Sequence, residues 1–172
     1  MNIVFYTSAA VALLSTLMVI TRRNAMHALL YLIVSLLAVA VVFFTLGAPL
    51  AAALEVIVYA GAIMVLFVFV IMMLNPAVGA GDPAARAQLL RACAGPALLA
   101  LVLLAELIYV LAQSGGAHPS AVPVDPKHVA LSLFSPYLLG VELASILLLA
   151  ALVGAYHLAR RGEHADGEEE EI

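Results

Sequence analysis

Tryptophan is absent from this chain, and cysteine occurs once, as Cys93. A lone cysteine forms no internal disulfide and supplies no cluster for zinc or an iron–sulfur centre. Charge is also scarce. Only 10% of the 172 residues are Asp, Glu, Lys or Arg, against about 25% in soluble domains. The seven basic residues are scattered and form no stripe, which gives no support to nucleic-acid binding. No glycine-rich phosphate loop, nucleophile triad or nucleotide signature is present. Catalysis by this chain alone is therefore not expected.

Apolar residues fill the space that charge leaves. They make up 66% of the sequence, which marks an all-α integral membrane protein. Five apolar runs are visible, at about 3–20, 26–46, 50–74, 92–111 and 133–158. They define a five-helix transmembrane domain over residues 1–160. Residues 161–172, with Glu168 to Glu171, read as a flexible acidic tail. The first run lacks a basic lead, and its arginines follow it, so it is expected to be retained rather than cleaved. The short Gly47-Ala48-Pro49 turn predicts an antiparallel pairing of spans two and three. Arg22, Arg23, Arg86, Arg91, Arg160 and Arg161 fall on one side of this topology, and Lys127 on the other. That bias predicts an outward N-terminus and a cytoplasmic C-terminus.

The third run, Leu50 to Leu74, is the informative one. It spans 25 residues with a single charge, Glu55, and a single glycine, Gly61. Its 14 Leu, Ile, Val and Phe residues each favour insertion by about 0.3–0.6 kcal/mol. One acid at the bilayer centre costs roughly 2.5–3.5 kcal/mol. The apolar side wins, so Glu55 is compatible with a span. Glu55 and Tyr59 are four apart and share a helix face in α-geometry. Ala60-Gly61-Ala62 permits close helix approach and lowers the cost of a π-bulge. The functional reading is a carboxylate handling protons or water beside a deformable helix. The plain alternative is a satisfied buried Glu, with Gly61 serving packing.

Other intramembrane polar residues carry less. Glu106 and Glu142 are the remaining acids, with Ser145 on the same face as Glu142. Both can simply point toward an interface. If the helices bring them together, they form one polar cluster with Glu55. His27 and His157 sit at span ends, and no span carries two histidines on one face, so metal or haem ligation is not expected. Tyr31, Tyr109, Tyr156, Met72, Met73 and Phe69 read as interface or packing residues.

The run ALEVIVYAGAIMVLFVFVIMMLN, Ala53–Asn75, resembles the third span of the subunit J family of proton-pumping NADH:quinone oxidoreductase, respiratory complex I. Its mitochondrial counterpart is subunit 6. Asn24–Ala48 and Leu133–Ala155 are similar as well, whereas span four, residues 113–132 and the tail match weakly. The resemblance implies a bacterial inner-membrane subunit packed against the A, H and K subunits. It implies no cofactor or metal in this chain, although the complex uses NADH, FMN, iron–sulfur clusters and a quinone. It further implies a π-bulge near Tyr59 and Gly61 that forms and relaxes, rotating the helix and gating a water path. On that basis Glu55, Tyr59 and Glu142 are candidates for the proton or water path. Ala60, Gly61, Ala62, Met64 and Phe67 are candidates for the helix switch. The alternatives are a purely structural scaffold subunit, or a subunit of a related hydrogenase or ferredoxin-driven membrane complex.

Overall fold

A computed structural model describes residues 2–74, 83–113 and 124–169. Every regular element among them is helical. They are α1 (Asn2–Thr21), α2 (Ala25–Thr45), α3 (Pro49–Leu74), α4 (Pro83–Gln113), α5 (Pro126–Leu133) and α6 (Leu138–Glu169). Among the described residues, five stretches are long and apolar enough to cross a membrane: Ile3–Thr21, Ala25–Thr45, Pro49–Leu74, Cys93–Val110 and Leu138–Arg160. The chain divides into two compact units, Met1–Val124 and Asp125–Ile172.

Local chemistry sets the helix ends. Asn24 caps α2, its side-chain oxygen accepting from Met26 N at 3.0 Å. The other end closes in a Schellman motif. Ala48 N donates to Phe43 O at 3.0 Å and Gly47 N to Phe44 O at 3.1 Å. Gly47 sits at φ 81°, where a side chain would be strained and glycine is not. Pro49 then opens α3 at a position whose N–H needs no partner. Val124 N bonds back to Gly47 O at 2.9 Å, which ties the far end of the first unit to this turn.

The first unit is built on α1 and α2. Small residues are prominent among their buried positions, as expected where lipid removes the hydrophobic drive between helices. Ser8, Ser15 and Ala38 are fully buried. Thr16 and Ser35 share a hydroxyl contact of 2.8 Å, and Ser35 also donates to Ala12 O. Val11, Val34, Ala38 and Leu103 form the apolar core, which brings in α4. Nearby, Tyr31 is buried with Arg22 above its ring, and its hydroxyl packs directly against Gly95.

In the second unit, Asp125 caps α5 through Lys127 N, and α5 ends at Leu133. A turn over residues 134–137 follows before α6. The fifth span therefore begins at Leu138, not near Leu133. Pro136 is the physical reason, because it disfavours helical geometry at the residue before it. The backbone of α6 continues to Glu169, past the start of the expected tail, and residues 170–172 lie outside the described set. The loop at 75–82 and residues 114–123 lie outside it too.

Candidate functional site

The distinctive element is the middle of α3. Residues Pro49–Leu54 are α-helical, Glu55–Ile63 are π-helical over nine residues, and Met64–Leu74 return to α. The closing turn includes a bond from Met64 N to Tyr59 O, five residues back. Most π-segments are single turns, so this one is long. A Cβ built on Gly61 would lie 3.1 Å from Val56 O, also five residues back. Glycine thus removes a conflict that the widened turn creates.

The widened turn changes which residues share a face. Ala52 and Met64 are buried, and Glu55, Ala60, Gly61, Val68 and Ile71 are half-buried. The spacing along this stripe is three to four, except across the π-segment, where Glu55 is followed by Ala60. Between Glu55 and Met64, nine positions on, regular α-geometry would turn the chain through about two and a half turns. The two would then lie on opposite faces. Here both belong to the stripe that packs toward α2.

The candidate residues divide accordingly. Glu55, Ala60 and Gly61 lie on the half-buried stripe and Met64 is buried in it. Tyr59 is 51% exposed and Phe67 50%, and Ala62 is exposed too. Glu55 is half-buried and Tyr59 exposed, and no hydrogen bond joins them. Glu142 lies exposed on α6, in the second unit. Ser145 donates to the backbone carbonyl of Glu142 at 2.7 Å, not to its carboxylate.

Glu106 was expected either to point toward an interface or to join a polar cluster with Glu55 and Glu142. Its Oε2 accepts from Ser8 Oγ at 2.6 Å, between α4 and α1. It is not joined to Glu55. A cavity of about 500 Å³ lies between α2, α3 and α4, lined by Phe44, Ala52, Val56, Leu103 and Leu107 among other apolar residues. Ser8 and Ser15, seven apart in an apolar helix, were the available signal that α1 presents a polar stripe to a neighbour. Among the described residues no group of three His, Cys, Asp or Glu is placed to hold a metal.

These features define a multi-pass helical membrane protein whose third span carries a π-helical segment. The chain belongs to the family of NADH-ubiquinone/plastoquinone oxidoreductase chain 6, whose model matches residues 15–158. It is 58% identical to the NADH-quinone oxidoreductase subunit J of Pseudomonas aeruginosa over 94% of this chain and 98% of that one. It is 50% identical to the subunit of the same name from Escherichia coli strain K12, over 93% of this chain and 87% of that one. A relative of the same name from Buchnera aphidicola of Schizaphis graminum is 45% identical over 93% of this chain and 98% of its own.

Proposed function

We propose that this chain is a non-catalytic inner-membrane subunit of bacterial NADH-quinone oxidoreductase that couples quinone reduction to proton translocation through α3. Family membership supports the complex, and the carrying observation for the coupling role is the π-segment at Glu55–Ile63. A return to α-geometry would turn Met64–Leu74 by up to about half a turn relative to Glu55. Met64 would leave the buried stripe, and Val65 or Leu66, now 62% exposed, would approach it. Each register makes different contacts, which is what a ligand-linked shift between two states requires.

In this reading Gly61 lets both registers exist, with Ala60 and Ala62 beside it. Met64 and Phe67 are the side chains that change surroundings. Glu55, half-buried and without a bonded partner among the described residues, takes protons or water from the path that the register opens, with Tyr59 beside it; Glu142 on α6 is a further candidate carboxylate for the same role. The exposed apolar faces of α3 and α6 are covered by lipid and by the neighbouring A, H and K subunits. NADH, FMN, iron–sulfur clusters and quinone belong to other parts of the complex. The basic residues flanking the spans orient the N-terminus outward and the C-terminus to the cytoplasm.

Thiol labelling tests the register change. In a complex whose Cys93 is replaced by serine, Met64→Cys should resist a membrane-permeant maleimide at rest, since Met64 is 6% exposed. Labelling should accelerate during turnover with NADH and quinone. Equal labelling in both conditions, in an assembled and active complex, would refute the switch.

A further inference from the structure

We infer that Ser8 and Glu106 form a proton-binding site between α1 and α4, separate from the carboxylate on α3. Ser8 is fully buried, and its hydroxyl lies 2.6 Å from Glu106 Oε2. Glu106 Oε1 is closed to solvent and has no hydrogen-bond partner among the described residues. Val11 and Leu103, one turn along from Ser8 and Glu106 on their own helices, belong to the apolar core. Ser15, two turns further on the same α1 face, is also buried with an unpartnered hydroxyl.

An ionised carboxylate only accepts hydrogen bonds. Both of its oxygens would need donors here, and Ser8 supplies one. The packed elements offer nothing more. On α1, Tyr6 is 69% exposed, and Arg22 and Arg23 lie at the far end, about 20 Å along the helix from Ser8. On α2, His27 and Tyr31 are the titratable groups, and Tyr31 packs against Gly95, eleven positions from Glu106. Cys93 and Tyr109 are the others along the α4 span. None of these side chains is hydrogen-bonded to Glu106.

A proton meets this deficit without needing room. Placed on Oε2, it reverses the short contact: the carboxyl O–H donates to Ser8 Oγ. The serine O–H then turns to a carbonyl of its own preceding turn, a common arrangement for serine within helices. Oε1 becomes a neutral carbonyl oxygen, for which a missing partner is far less costly than for a charged one. Rotation of a single hydroxyl links the two states, so the pair can take up and release a proton without moving the helices. None of this requires α3 to change register.

Infrared difference spectroscopy on the assembled complex tests the site. Glu106→Gln keeps an acceptor for Ser8 and nearly the same volume. Its difference spectrum against the parent should show loss of one protonated-carboxyl C=O band. Loss of ionised-carboxylate bands instead would overturn the proposal. Ser8→Ala should retain the C=O band but move it to higher frequency, because the hydrogen bond from the acid is gone. A band unmoved by Ser8→Ala would also overturn it. If Glu106→Gln does not assemble, the Ser8→Ala spectrum decides alone. Glu55→Gln should leave the band in place, so failure of the α3 reading is distinguishable from failure of this one.

Discussion

Replacing Gly61 with alanine adds one methyl group inside the π-segment, where the proposed return to α-geometry would change the local contacts. In the π-register that methyl meets Val56 O at 3.1 Å. Relief takes a few tenths of an ångström, drawn from bond-angle and backbone distortion at about 1 kcal/mol for a deviation near 7°. Regular α-geometry has no such conflict, and alanine is preferred over glycine there by about 1 kcal/mol. The two effects add in the same direction. The balance should move toward the α-register by about 1–2 kcal/mol, a factor of roughly 5–30. The assay is the proton-to-electron ratio of the purified complex in sealed proteoliposomes, alongside electron transfer to a soluble acceptor that bypasses the membrane arm. Gly61→Ala should lower quinone-linked pumping several-fold and leave the bypass reaction intact. Valine, branched at Cβ, should do more. Unchanged pumping at full assembly in both variants would refute the argument, because the steric asymmetry at Val56 O would then be irrelevant to turnover.

Three further outcomes are expected. Glu55→Gln should reduce pumping while assembly stays normal; unchanged pumping would favour a scaffold role. Gly47→Ala places a side chain at φ 81° and should cost about 1–2 kcal/mol, read as a lowered unfolding temperature of the purified subunit complex. Gly95→Ala would drive a methyl into the Tyr31 hydroxyl and should destabilise by about 1–3 kcal/mol. Tyr31→Phe in the same chain should restore part of that loss, and a double variant no better than Gly95→Ala would disprove the contact.

The five spans were legible because a bilayer demands long apolar runs, and Leu50–Leu74 could hardly be anything else. The orientation of Gly47 was legible too, as a turn residue before Pro49. The π-segment was permitted by Gly61 but not required by it, because one glycine in an apolar helix is compatible with either register. What betrays the segment is the broken spacing from Glu55 to Ala60 and on to Met64, which exists only once burial is known. Apolar residues on every side of α3 hide that break from any reading of periodicity. Glu106 was hidden for a different reason. Its partner, Ser8, is 98 positions away, and neither residue carries a spacing that points to the other. Glu55 and Tyr59 stand within the π-segment, where Glu55 is half-buried and Tyr59 exposed, a difference that their four-residue spacing does not announce.

The placement of the π-segment bears on what controls it. The α2 span is 33% buried within the chain, and the α3 span only 6%. Weakly packed elements are those that open or change register at least cost. The protein's own contacts therefore hold α1 and α2 firmly and constrain α3 mainly at Ala52 and Met64. Two buried residues do not by themselves impose a long π-segment on a helix whose other side chains prefer α-geometry. The remaining bias must come from whatever covers Val56, Ile57, Tyr59, Val65 and Leu66, all of them exposed in the isolated chain. On the proposed reading, contacts from neighbouring subunits on this face would bias the register. Substitutions on that outer face of α3 should then change pumping as strongly as substitutions at Gly61, although they touch neither Glu55 nor the π-turn itself.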